Sequence, residues 1–364
     1  MAADGWADLD EKLSALAAVG RARDLETVVL RDPASLNWLL GCRVNVPQTL
    51  DSACLDVIID LSTDSPRITL VTNAIEAPRL RDTEVANLDA EWVVVPWWES
   101  RDQGLPSGQR VGSDRPSVGV ASVAADLAAL RHHLTSHQRA LLRSVCRETA
   151  EAATATAQRL NPTTSEFTAA GLLSRELLER GLDPIVLMVA GAARVAAHRH
   201  PLPTMEPLGA RGMLVACGRR HGLVASVTRI VAFEPMSNCT RDAYDRLLRV
   251  EAAFLDATRV GASVGAAFTA GVTAYAREGF DATEWHRHHQ GGFSGFQPRE
   301  FPAHHSSVAT INEGAVLAWN PSAAGVKVED TSLVLASGAE PLVEDGVWPT
   351  TTVRGRRRPD VMAL

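Results

Sequence analysis

Apolar positions switch repeatedly between helical and strand periods along the first third of the chain. Leu9, Leu13, Leu16 and Val19 recur at helical spacing, and Gly20 is expected to end that helix. Thr27-Val28-Val29-Leu30 reads as a short buried strand. Asp32-Pro33-Ala34-Ser35 then supplies a turn and cap into Leu36-Asn37-Trp38-Leu39-Leu40, which Gly41 stops. Residues 55–60, 67–71 and 92–95 are further β-rich runs, with helices over 76–84 and 119–132. Residues 101–117, rich in Gly, Pro and Ser, read as a surface loop. This alternation predicts a small α/β domain with a mixed sheet over residues 1–134.

The pattern then lengthens. A helix is expected from Ser136 to Leu160 and a second over 165–180, followed by a strand at 184–191. Residues 212–218 and 223–233 pair as a hairpin around Arg219-Arg220-His221-Gly222. Helices over 240–258 and 262–277 form a second pair, so 138–180 and 240–277 read as a pseudo-repeat. Strands return at 315–319 and 333–336. The region is therefore α+β, and we expect it to span 135–345, with 346–364 as a C-terminal tail.

Composition narrows the function classes. A formal charge of −7 and a pI near 5.9 argue against a nucleic-acid partner, which a basic footprint would mark. The basic run Arg354 to Arg358 is expected to be a solvated tail. Five cysteines without paired spacing point to reduced thiols in a cytoplasmic protein. The acidic start and the absence of a long apolar run predict neither leader nor membrane span.

Candidate chemistry concentrates in 285–330. The loop Trp285-His286-Arg287-His288-His289-Gln290-Gly291-Gly292 is rich in imidazoles and glycines, and Asn320-Pro321 and Glu329-Asp330 flank later strands. The order helix pair, hairpin, helix pair, His/Gly loop, strand, strand resembles the pita-bread superfamily of aminopeptidase P, prolidase, methionine aminopeptidase and creatinase. Residues 32–41 resemble its creatinase/prolidase-type amino-terminal domain. The resemblance implies an α/β N-terminal domain followed by an α+β pita-bread domain.

The metallopeptidases of that superfamily hold two metal ions with two Asp, one His and two Glu. Carried over, the first Asp falls on Ala216 and the second on Ser226. The His falls on His289 or His288, one Glu on Asn320, and the last Glu on Glu329. Ala, Ser and Asn cannot supply the lost carboxylates, so no metal and no other cofactor is expected. A separate zinc or nickel site on the histidines is geometrically possible, but hydrogen-bonded loop histidines are the plainer expectation.

Creatinase and ectoine hydrolase are similar in fold and cleave C–N bonds without metal. The resemblance implies a His acid/base before a Pro, here His200 in His198-Arg199-His200-Pro201. His289 would orient or stabilise an oxyanion, and Glu329 would hold a substrate cation or fix the His289 tautomer. Arg299 would grip a substrate carboxylate. Glu300, Asn320, His198, Thr228, Arg229 and His288 complete the expected substrate-binding set. Asn320, an uncharged amide, argues against a guanidinium substrate.

The expectation is a metal-independent hydrolase for an amide, lactam or amidine of a small polar metabolite, with a specialised biosynthetic or catabolic pathway as one setting. Its rivals are an inactive pita-bread binding protein and an Xaa-Pro-type metallopeptidase with atypical ligands. The resemblance also implies a homodimer, with Trp38 and Val95-Pro96-Trp97-Trp98 as candidate interface aromatics, although core packing suits them equally.

Overall fold

The computed structural model describes residues 6–46 and 53–364. Residues 2–5, part of the start from which the absence of a leader was expected, lie outside this set. The chain divides into two compact units, Met1–Arg131 and His132–Leu364.

The first unit begins with α1 (Leu9–Arg23), β1 (Thr27–Leu30), α2 (Pro33–Leu40), β2 (Leu55–Asp60) and β3 (Arg67–Asn73). Next come α3 (Ala77–Arg79), which continues as a π-turn over Leu80–Glu84, and β4 (Glu91–Val95). β5 (Val111–Ser113), β6 (Ala121–Ser122) and α4 (Ala124–Arg131) complete it. Its six strands run β4-β3-β2-β1-β5-β6, antiparallel in the centre and parallel outward, so the sheet is mixed as the pattern predicts. Three expectations fail, the first being the helix over 119–132, which starts only at Ala124 after β6 (Ala121–Ser122). Gly20 does not end α1; it sits inside it, where a Cβ would come 2.5 Å from the Leu61 side chain, and Asp24 takes the left-handed cap. The loop at 101–117 carries β5, which pairs parallel with β1 because Gly112 admits Leu25 and Val123 against its backbone. Trp38 is 4% exposed and belongs to this unit's core, whereas Trp97 and Trp98 are 63% and 69% exposed.

The second unit opens with α5 (Ser136–Ala157), fixed at its start by a capping box. Thr135 Oγ1 accepts from Gln138 N, and the Gln138 side chain accepts from Thr135 N. There follow α6 (Glu166–Glu179), β7 (Asp183–Gly191), the short α7 (Ala192–Ala197), β8 (Arg211–Arg220) and β9 (Leu223–Ala232). α8 (Asn238–Ala257) and α9 (Val264–Arg277) precede the strands β10 (Gly291–Phe293), β11 (Phe301–Pro302) and β12 (Val316–Trp319). Then come β13 (Ser322–Ala323), β14 (Val326–Lys327), β15 (Glu329–Leu335) and β16 (Gly338–Pro341). Nine strands form one sheet, ordered β11-β10-β12-β15-β9-β8-β7 with β16 beside β15. β9 is buried along its whole length, α5 packs against β8 and β9, and α8 packs on α9.

Residues 346–364 are not a solvated tail. β17 (Thr350–Val353) and β18 (Arg356–Pro359) form a hairpin, and β19 (Met362–Ala363) adds to the edge of β9. Arg358 is 2% exposed and gives two hydrogen bonds to Glu251, at 2.7 and 2.6 Å, with Asp330 2.8 Å away. A buried guanidinium needs such carboxylates, and the fold supplies them from α8 and β15. Among the described residues, no helix is long and apolar enough to cross a membrane.

Candidate active site

The site is assembled where β9, β12 and β15 lie side by side, closed by the loops after α7 and before β10. Strand alternation decides who faces it. β15 pairs with β9 so that Glu329 stands opposite Thr228 and Asp330 opposite Val227. Glu329 and Thr228 therefore share one face and Asp330 points to the other. Arg229 leaves the site by the same rule. It gives its protons to Asp330 (2.7 Å), Val343 O (2.6 Å) and Thr228 O (2.9 Å), so the expected substrate role for Arg229 is corrected to a structural one.

Alternation also corrects the first lost ligand position. β8 pairs Cys217, not Ala216, with Ser226, and the Cys217 Sγ lies 3.3 Å from the Ser226 Oγ. Burial pushes the Cys217 thiol up to about 11, which keeps it protonated and structural.

Glu329 is the centre of the charged half of the site. Its Oε1 accepts from Arg299 Nη2 at 2.6 Å, while its Oε2 accepts from Thr228 Oγ1 at 3.1 Å and lies 3.2 Å from Lys327 Nζ. Burial alone would raise this carboxyl, but the charges of Lys327 and Arg299 outweigh it and hold it well below the usual range. Both oxygens are thus engaged, and the expected roles of Glu329 in holding a substrate cation or fixing His289 are corrected. His289 makes no hydrogen bond to it among the described residues.

Lys327 was missed by sequence reasoning. A signal existed: Lys327 and Glu329 are two apart on an extended segment and so share a face. Lys327 is also one of two lysines in a chain with 36 basic residues. Arg299 pairs with Glu329, not with its neighbour Glu300. Glu300 is half-buried and its backbone N donates to Phe293 O.

The second half of the site is a cluster of imidazoles. One ring nitrogen from each of His200, His288 and His289 lies within 4.8 Å of the other two, and His200 Nε2 is 2.9 Å from His288 Nε2. One of those two nitrogens carries the shared proton and the other accepts it. His288 is buried, and its Nδ1 lies 3.3 Å from Ser322 Oγ, which fixes the ring. Desolvation and the charge of Lys327 lower His200 below the ordinary histidine range. Desolvation and Arg299 lower His289 to about 4. His288 falls further still, mainly by desolvation. All three rings are neutral at pH 7. His198, two residues before His200, is exposed and outside the cluster.

Supports unseen in the sequence hold the two loops. Arg199 pairs with Glu284, tying the His200 loop to the turn that precedes His288. Gln290, 1% exposed, donates to Trp285 O and His288 O and accepts from Tyr275 OH. Gly291 and Gly292 have φ of +103° and +153°, and a Cβ would lie 2.1 Å from Ala318 O or 2.4 Å from Phe301 O. No other residue fits there.

The donor set does not suit a carboxylate-bridged pair of metal ions. At the positions implied as ligands stand Cys217, Ser226 and Asn320, and the one remaining carboxylate, Glu329, is already neutralised by Arg299 and Lys327. Hard divalent ions need several free carboxylates to offset dehydration and mutual repulsion.

This nine-stranded sheet flanked by helix pairs, with its candidate site on the β9–β15 face, is the pita-bread architecture, and it follows an α/β N-terminal domain in the chain. Residues 140–336 match metallopeptidase family M24, and the chain belongs to that family of hydrolases. Solved structures agree in fold over nearly the whole chain. The prolidase from Pyrococcus horikoshii is 14% identical with a TM-score of 0.74, covering 92% of this chain and 98% of its own. Dipeptidase PepE from Mycobacterium ulcerans is 17% identical with a TM-score of 0.75, covering 98% of each chain. An Escherichia coli aminopeptidase P variant is 13% identical with a TM-score of 0.69, covering 93% and 95%. No curated protein matches the sequence.

Proposed function

We propose that the protein hydrolyses a C–N bond (amide, lactam or amidine) of a small polar metabolite without the dinuclear metal centre of its family. The observation that carries this reading is the pairing of Glu329 with Arg299 at 2.6 Å and Lys327 at 3.2 Å, beside a neutral His200–His288 pair at 2.9 Å. We read the cations as supplying positive charge that a metal would otherwise bring, and the imidazoles as the groups that move protons.

In the proposed reaction His200 takes a proton from a water as its oxygen bonds to the scissile carbon. The same proton then passes to the departing nitrogen as the C–N bond breaks. His288, hydrogen-bonded to His200, is a positioning residue, and His289 donates to the developing oxyanion. Arg299 holds a carboxylate of the substrate. We further propose a homodimer, supported by the exposed Trp97 and Trp98, in cytoplasmic surroundings suited to unpaired cysteines.

Turnover of a panel of N-acyl amino acids, lactams and amidines tests the reading. Replacing His200 by Ala is expected to lower kcat about 10²–10⁴-fold. Unchanged turnover removes the assigned role, and no turnover of the panel by the native chain favours a binding protein.

A second reading is a mononuclear metallopeptidase of the Xaa-Pro type, favoured by the ring nitrogens within 4.8 Å and by the likeness in fold to prolidases and dipeptidases. The positive charges of Lys327 and Arg299 weigh against it, since they already disfavour positive charge on His200 and His289 and would repel a dication held by those rings.

A further inference from the structure

The charged half of the site carries two cations and one carboxylate. Lys327 is 3% exposed, the Arg299 side chain is 12% exposed, and Glu329 is 4% exposed. One positive charge is therefore left uncompensated in a buried setting, which is costly unless an anion arrives. Hydrogen-bonding capacity is left over as well. Lys327 has three N–H donors, and Glu329 is its one partner among the described residues. The Nε of Arg299 is buried with no partner, although its two terminal nitrogens are engaged.

The third orphan is of the opposite kind. Asn320 is 2% exposed; its backbone N donates to Gln290 O, and its side-chain Oδ1 has no donor. Asn320 follows Trp319, which pairs with Asp330 and sends its indole N–H into the core to Thr258. Alternation turns Asn320 to the opposite face, the face that carries Glu329. Buried polar groups are nearly always satisfied, so orphan donors and an orphan acceptor turned to the same face of the sheet define the missing partner.

We propose that Lys327 and Arg299, braced by Glu329, form an anion site and that Asn320 Oδ1 accepts an N–H beside it, so that the ligand is a small molecule carrying both a carboxylate and an N–H donor. This deepens the proposed function and rests on it for the identity of the pocket as a substrate site. It also assigns Lys327 and Asn320 as the determinants of specificity.

The test is binding, measured by calorimetry with N-acetylglycine as probe. Two analogues accompany it: its uncharged amide in place of the acid, and N-acetylsarcosine, which lacks the N–H. N-acetylglycine is expected to bind about tenfold or more tightly than either analogue. Lys327→Met is expected to abolish the preference for the acid over its amide, and Lys327→Arg to keep it. Asn320→Ala is expected to abolish the preference for N-acetylglycine over N-acetylsarcosine. Because Lys327→Met could fail to fold, the Asn320→Ala result and the native chain's ranking of the three probes stand as independent readouts. Equal affinities for acid and amide, or an unchanged ranking in both variants, overturn the proposal. Binding is measured in His200→Ala as well. Retained ranking without turnover by any form sinks the hydrolase reading alone, whereas turnover without the ranking sinks the two-point recognition alone.

Discussion

Glu329 shows how a single residue changes meaning with its neighbours. Its carboxylate is held by Arg299, Lys327 and Thr228. Glu329→Gln would leave two buried cations facing an uncharged amide, and we expect about 3 kcal/mol or more of lost stability in urea melts. A change near zero would mean that the cations are solvated. The histidines make a pH prediction. His289 and His288 are lowered in the folded state, so between about 6.5 and about 4 the unfolded chain binds more protons than the folded one. Stability should therefore fall as pH drops through that window. The acid limb of kcat/KM should likewise lie below 6.5, because His200 is lowered too. A limb at or above 6.5 contradicts His200 as the base. His200, His289, Arg299 and Glu329 were singled out in the sequence through the family resemblance, and the fold brings His289 to His200 and Arg299 to Glu329. The partner of Arg299 was not legible, because Arg299 and Glu329 are thirty residues apart and meet only through the sheet.

At the scale of elements, the β10 segment shows why glycines accompany the imidazoles. Gly291 and Gly292 let β10 lie against β11 and β12 with no room for a Cβ, and that fixes where His288 and His289 emerge. Gly291→Ala is expected to cost about 2 kcal/mol or more in urea melts and to weaken binding at the His cluster, through the left-handed backbone and the contact with Ala318 O. Wild-type stability would show that the strand can shift. Helices and long strands were readable because their apolar periods run over many residues. The short strands β5, β13, β14 and β17–β19 were not, because two to four residues carry too little period and their pairing is set by distant partners. The Ala216 assignment failed for a similar reason: which residue of β8 faces the site depends on hairpin register, which the shared motif does not encode.

At the scale of the molecule, the last residues are part of the fold. Arg358 sits between Glu251 and Asp330, and Asp330 also holds Arg229 behind the site. Arg358→Met should cost about 3–5 kcal/mol in urea melts, since it leaves the buried Glu251 carboxylate without its guanidinium partner while Asp330 keeps Arg229. An unperturbed melt would mean that the segment is only laid on the surface. A run of arginines reads as solvated because sequence carries no information on the carboxylates waiting for one of them.

We propose that side-chain cations have replaced metal ions in this member of a metallopeptidase family. Calorimetric titration of the untagged protein with Mn²⁺, Co²⁺ and Zn²⁺ tests it most directly. No stoichiometric binding of any of the three is expected. Saturable binding of one or two ions per chain, lost on replacing His289 or Glu329, would contradict it.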